Sequence, residues 1–117
     1  MKRLIGFALG FAVALAVQAH TPLKASSPRA DASVPAPKAV ELAFDGDVRL
    51  TSVALTDSRG AAKHLDAVPT AVASTFSLGI HEPLAPGAYK VVWRAVGGDT
   101  HIITGEFGFT VTAAPAR

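Results

Sequence analysis

Histidines are the side chains most able to do chemistry in this sequence, since cysteine is absent and the carboxylates are scattered singly. The four are His20, His64, His81 and His101. In "GGDTHI", Asp99 precedes His101 by two positions, so on an extended chain both side chains leave the same face. Gly97–Gly98 allows a tight turn that would present the pair at the end of a sheet. A carboxylate and an imidazole placed in this way can bind one metal ion.

His20 gains special chemistry only if the chain is cut directly before it. Residues 1–19 have the features of a secretory signal: two basic residues precede the apolar run Leu4–Val17, which ends in "VQA". The run is too short for a membrane-spanning helix, which takes roughly 20 residues, so a cleaved signal is favoured over an anchor. Cleavage after Ala19 would make His20 the first residue, with a free amine beside its imidazole. These two nitrogens can chelate one ion.

The three residues His20, Asp99 and His101 together offer three nitrogens and one oxygen. Tetragonal coordination by nitrogen and oxygen suits Cu(II), and we therefore predict one Cu(II) ion bound by this set. Zinc would accept the same ligands in a tetrahedral arrangement. A dedicated Cu(I) site is not expected, because Cu(I) prefers sulfur ligands and the only methionine, Met1, leaves with the signal.

The remaining two histidines are not assigned as ligands. His64 lies beside Lys63 in a polar stretch, and His81 is followed by Glu82 and a turn-forming sequence. The sequence leaves open whether His81 or Glu82 assists the site. A hydrolase is not expected, since the sequence contains neither a nucleophile elbow nor a glycine-rich phosphate loop.

Charge and composition narrow the class of protein further. Loss of Lys2 and Arg3 with the signal takes the 11 basic residues to nine, which equals the nine acidic ones. Such a chain has no basic stripe for nucleic acid or for an anionic membrane surface. Without cysteine its stability must come from packing. Residues 20–117 suit one domain, and we expect a monomer.

The hydrophobic period becomes two after a proline-rich lead, which the sequence allows to be either a linker or a sheet edge. The alternation of apolar residues slips by one position at Thr51–Ser52, which predicts a bulge or bend in that strand. Trp93 is flanked by valines and is predicted to lie in the core. Several short strands separated by turns predict a small antiparallel β-sandwich or barrel of Greek-key type. The strand candidates are "AVELAF", "VRLTSVALTD", "STFSLGI", "AYKVVWRAV" and "IITGEFGFTV".

Nearly all of residues 20–117 resembles the CopC-type periplasmic copper-binding domain family. The resemblance rests on the histidine after the signal and on "LKASSPRADASVP", "AVELAFDGDV", "LAPGAYKVVWRAV" and "GDTHIITGEFGFTV". It implies a cupredoxin-like, Ig-like Greek-key β-sandwich or barrel of about seven strands, with a Cu(II) site made by His20, Asp99 and His101. Thr100 stands where the family's D-G-H pattern has glycine, and the methionine-rich loop that provides a Cu(I) site in some members is missing.

We therefore predict a periplasmic Cu(II) carrier or buffer, not an enzyme, formed by residues 20–117. Its partners would be the copper ion and an inner-membrane copper transporter or another periplasmic copper protein. Two alternatives are a metal-free β-sandwich that binds other proteins and a copper oxygenase with a histidine brace. Tyr89 is the only tyrosine, which speaks against a flat aromatic face for a polysaccharide. Asp99 would also occupy a position that oxygen chemistry needs open.

Overall fold

The computed structural model describes residues 23–113, and all regular structure in this range is β. His20 and the predicted cleavage site lie outside the described residues. Between residues 23 and 113 there is no helix of the length and apolar character that crossing a membrane requires. The strands are β1 (Leu23–Ser27), β2 (Ser33–Val34), β3 (Ala39–Asp57), β4 (Ala73–Gly79), β5 (Gly87–Gly97) and β6 (Ile102–Val111).

The long strand β3 serves as two strands in succession. Its first part, residues 39–44, pairs antiparallel with β1 on one side and β4 on the other, and the pairing with β4 resumes at Val48. Its second part, residues 48–57, pairs antiparallel with β5. The register against β5 shifts between Leu50 and Ser52, which confirms the bulge or bend predicted from the phase slip. Counting the two parts of β3 separately gives about seven strands, as the resemblance implied.

Strands far apart in sequence are neighbours in the sheet, whose order is β1–β3–β5–β6–β2, with β4 also paired to β3. β2 runs parallel to β6, and the other pairs are antiparallel. The proline-rich lead therefore contributes to both edges, through β1 on β3 and β2 on β6. All strands surround one core, so the predicted all-β sandwich or barrel is confirmed.

Trp93 lies at the centre of that core. It is only 1% exposed and meets Phe44 edge-to-face, with ring centroids 5.1 Å apart. Gly105 pairs with Trp93 across β5 and β6, and a Cβ atom there would lie 2.6 Å from Cζ2 of the indole. This close approach requires glycine. The alternation of buried side chains along β5 follows the prediction, and the buried set is Tyr89, Val91, Trp93 and Ala95.

The hairpin of β5 and β6 positions the predicted site. Its paired residues run from Gly87 and Val111 at one end to Val96 and Ile102 at the other. Residues 97–101 form the turn just beyond the last pair. The turn therefore stands at the end of two well-packed strands, outside the hydrophobic core.

Candidate metal centre

The hairpin turn is closed by backbone hydrogen bonds. The N–H of Thr100 donates to the carbonyl of Gly97, and the N–H of Gly97 donates to the carbonyl of His101, both at 2.9 Å. Thr100 has a φ of 66°, in the left-handed region that β-branched residues rarely adopt. In this turn the side chains of Asp99 and His101 lie next to each other.

Asp99 and His101 are in direct contact. Oδ2 of Asp99 lies 2.7 Å from Nδ1 of His101, and Oδ1 accepts a hydrogen bond of 3.2 Å from the backbone N–H of His101. The side chains are 69% and 81% exposed, respectively. The structure thus brings two of the three predicted ligands together at a position that solvent, and an ion in solvent, can reach.

The contact favours the charged form of both groups. The side-chain hydrogen bond from His101, followed by its backbone N–H, lowers the pKa of Asp99 below the ordinary value of 3.8. The same carboxylate raises the pKa of His101 above 6.5. Because both side chains are exposed, the ion pair adds little to fold stability. For both side chains to bind one ion, the ion must take the place of the proton shared between Nδ1 of His101 and Oδ2 of Asp99.

The third predicted ligand, His20, lies outside the described residues, but the direction of β1 bears on it. Leu23 at the start of β1 pairs with Phe44, and β1 then runs antiparallel toward Glu41. Val48, four positions beyond Phe44 on β3, pairs with Gly97 at the hairpin turn. The first described residue therefore lies at the end of β1 that is nearer the turn.

His81 and Glu82 lie at the opposite end of the molecule and do not assist this site. Gly79, two positions before His81, pairs with Ala39, whereas Gly97 pairs with Val48 of the same strand. β4 covers the same stretch of β3 in the six positions from Gly79 to Ala73, which corresponds to about 20 Å. The question left open by the sequence is thus resolved.

His81 instead contacts Asp66, through Nε2 on Oδ1. This second Asp–His pair was not predicted from the sequence. The only available signal was the H-x-D spacing of His64 and Asp66, which mirrors the D-x-H spacing of the hairpin turn. Within residues 23–113, no three His, Asp or Glu side chains are already gathered around a common metal position.

The comparisons with known sequences agree on one family. The CopC domain model matches residues 23–112. Copper resistance protein C of Escherichia coli is 35% identical over an alignment that covers 94% of this chain and 95% of that protein. Copper resistance protein C of Pseudomonas syringae pv. tomato is 35% identical, with 90% of each covered.

Solved structures show the same similarity. PcoC, a methionine-rich copper resistance protein from Escherichia coli, is 36% identical and superimposes with a TM-score of 0.66, covering 80% of this chain and 99% of that chain. CopC from Methylosinus trichosporium OB3b is 30% identical with a TM-score of 0.67, covering 84% and 99%. The names of the two sequence relatives and of PcoC describe copper resistance and no enzymatic reaction, in agreement with the prediction of a binding protein.

Proposed function

Because this chain belongs to the CopC family, we propose that it is a periplasmic protein that binds one Cu(II) ion and carries or buffers copper in copper homeostasis and resistance. The observation that supports this most directly is the contact between Asp99 and His101 at an exposed turn. In this proposal residues 1–19 are a cleaved signal, and residues 20–117 form the copper-binding domain.

The amine and imidazole of His20 supply the remaining ligands. His20 is three residues before Leu23, and three extended residues span at most about 10 Å. The start of β1 lies toward the hairpin turn, so the direction of the strand favours this contact. A terminal chelate also completes a set that the described residues alone do not provide.

The ligand chemistry favours Cu(II) over Cu(I). Three nitrogens and one carboxylate oxygen suit the tetragonal geometry of Cu(II), whereas Cu(I) selects thiolate and thioether ligands. PcoC is described as methionine-rich. This chain contains one methionine, Met1, and no cysteine. The proposed site is therefore a single Cu(II) site without a sulfur-bound partner site.

An exposed site at a chain terminus suits transfer of the ion to another protein. Both described ligands are more than two-thirds exposed, so an incoming ligand can approach the metal before the old ligands leave. An inner-membrane copper transporter or another periplasmic copper protein is the proposed recipient or donor. The domain is proposed to act as a monomer.

Electron paramagnetic resonance of the Cu(II)-loaded protein tests the proposal. Two preparations are compared, one starting at His20 and one carrying Gly-Ser before it. We expect a tetragonal spectrum with three nitrogen ligands from the first only, because the extension removes the terminal amine from chelating distance of its imidazole.

Substitutions in the first preparation separate the ligands. Asp99→Ala and His101→Ala should each weaken Cu(II) binding and change the spectrum. Glu41→Ala is the control for Asp99→Ala, since it removes an exposed carboxylate from the part of β3 that lies away from the hairpin turn and should leave the three-nitrogen spectrum intact. Identical spectra from the extended and unextended chains would contradict the amine ligand, and indifference of all variants to copper would favour the metal-free interaction module.

A further inference from the structure

Residues 64–66 and 79–81 form a short antiparallel ladder at the end of the molecule opposite the hairpin turn. Leu65 and Ile80 form the bridge at its centre, flanked by backbone hydrogen bonds of 2.8 and 3.0 Å. Both side chains are partly buried and pack against the core. Because successive side chains alternate between faces, the residues on either side of this bridge point outward.

The outward face of the ladder carries two imidazoles and a carboxylate. His64 and His81 stand opposite each other, since the N–H of His81 donates to the carbonyl of His64 at 2.8 Å. Cβ atoms of opposed residues lie about 4.5–5.5 Å apart. Asp66 shares this face, because it is two positions from His64. All three side chains are exposed.

Asp66 is held in place by three contacts. Its Oδ1 meets Nε2 of His81, its Oδ2 accepts a hydrogen bond of 2.9 Å from the backbone N–H of Gly79, and its own N–H donates to the carbonyl of Gly79 at 3.0 Å. A Cβ at position 79 would lie 3.0 Å from Oδ2, so the glycine leaves the space that the carboxylate fills. The orientation of Asp66 toward His81 is thus built into the ladder.

We propose that His64, Asp66 and His81 form a second metal site, which takes a divalent transition-metal ion such as Zn(II) or Cu(II). Two imidazole nitrogens and a carboxylate oxygen, completed by water, are a ligand set that both ions accept. The ion takes the place of the proton between Asp66 and His81. This site goes beyond the Cu(II) site of the hairpin turn and shares no residue with it.

The third ligand requires only a side-chain rotation. The described residues hold no preformed group of three ligands, so His64 has to turn toward the Asp66–His81 pair. His64 is exposed, and its ring can turn toward His81 without disturbing the core. Its backbone is already fixed, since its N–H donates to Oε2 of Glu82 at 2.8 Å. Glu82 lies 4.0 Å from Nζ of Lys63, so it anchors the ladder and is not counted as a ligand.

The test isolates this site from the first one. A mature chain carrying His20→Ala, Asp99→Asn and His101→Ala is titrated with Zn(II) alone, and the histidine ring signals are followed by nuclear magnetic resonance. We expect one Zn(II) to bind, with the ring signals of His64 and His81 shifting together. Asp66→Asn in the same background should weaken Zn(II) binding by at least about tenfold.

Asp31→Asn is the matched control, because it removes the same charge from an exposed position where φ is 65°, which asparagine tolerates. It should leave Zn(II) affinity unchanged. Trp93 emission verifies that each variant is folded. Absence of a ring shift at a large excess of Zn(II), a shift of His81 without His64, or equal affinity of Asp66→Asn and Asp31→Asn would each overturn the proposal.

In a second experiment, Cu(II) is added to the Zn(II)-loaded background protein. Cu(II) binds nitrogen and oxygen ligands more tightly than Zn(II), so it should release the zinc one for one. Uptake of Cu(II) without release of Zn(II) would overturn the assignment of copper to this site.

Discussion

At the level of single residues, Trp93 determines what can stand opposite it on β6. A Cβ at Gly105 would lie 2.6 Å from Cζ2 and 2.8 Å from Cε2 of the indole. The indole cannot move aside easily, because it is almost fully buried and its other side meets Phe44. The absence of a side chain at position 105 is therefore a packing requirement.

Gly105→Ala is expected to lower the free energy of unfolding by about 1–3 kcal/mol, the typical result of overpacking a core. Urea unfolding followed by Trp93 emission measures this. Gly46→Ala is the control, since no atom lies within 4 Å of a Cβ at that position. Equal losses in the two variants would show that the clash with the indole is not the cause.

Asp57 at the end of β3 makes stability depend on pH. Its Oδ1 accepts hydrogen bonds from the backbone N–H groups of Ala61, at 3.0 Å, and Arg59, at 2.9 Å. These two donors, with a smaller contribution from Lys63, lower the pKa of Asp57 below 3.8. Asp57 therefore makes its full contribution to the free energy of unfolding at pH values above its ordinary pKa of 3.8. This contribution is lost as the pH falls through the lower pKa that Asp57 has in the folded protein.

Asp57→Asn should accordingly reduce the urea midpoint at about pH 7 and have a smaller effect at about pH 3, where the wild-type carboxylate is being protonated. Comparison with Asp45→Asn, which removes an exposed carboxylate elsewhere on β3, controls for overall charge. A loss of the same size at both pH values would contradict this explanation.

At the level of elements, the hairpin turn contains backbone strain at Thr100. Its φ of 66° costs an L-residue about 1–2 kcal/mol, less for asparagine, whose side chain tolerates this region. The family pattern has glycine at this point, and the turn keeps the same ligand spacing with threonine. The hydroxyl of Thr100 donates a hydrogen bond to the carbonyl of Asp99, which compensates part of the cost of the positive φ.

Thr100→Asn should therefore raise the melting temperature, by an amount corresponding to about 0.5–1 kcal/mol. Thr100→Gly should gain less, because glycine loses more conformational freedom on folding. Thr70→Asn, at an exposed loop position without a positive φ, is a control for the change of residue type. A lower melting temperature in Thr100→Asn would show that the hydroxyl contributes more than the strain costs.

Local elements were predictable from the sequence, and non-local ones were not. The Asp99–His101 pair and the alternation along β5 depend on residues close in sequence, so spacing alone predicts them. The sequence predicts two strands, before and after Asp45–Gly46–Asp47, whereas β3 continues through this segment and pairs with β5 from Val48 onward. The Asp66–His81 pair joins residues 15 positions apart, which no local pattern reveals.

At the level of the whole molecule, one core connects every strand pair. β3 contacts β1, β4 and β5, so a loss of packing on β3 affects the entire sheet. Leu55 on this strand is fully buried. Its position between strands that share one cluster predicts a single cooperative unfolding transition.

Leu55→Ala should reduce the free energy of unfolding by about 2–5 kcal/mol, the usual cost of a large cavity. Trp93 emission and far-ultraviolet circular dichroism should still give coincident transitions. Val92→Ala removes a side chain that is 41% exposed and should cost far less. Separate transitions from the two probes would contradict the single-core description.

The pairing of β1 and β2 with strands that follow them in the sequence determines the order in which the sheet can form. β1 can form only after β3 has been made, and β2 can form only after β6, the final strand. The polypeptide emerges from its amino to its carboxyl end, so β2 cannot pair until β6 has emerged. Such long-range closure is slow, and a chain cut short before residue 102 would leave β2 permanently without its partner β6.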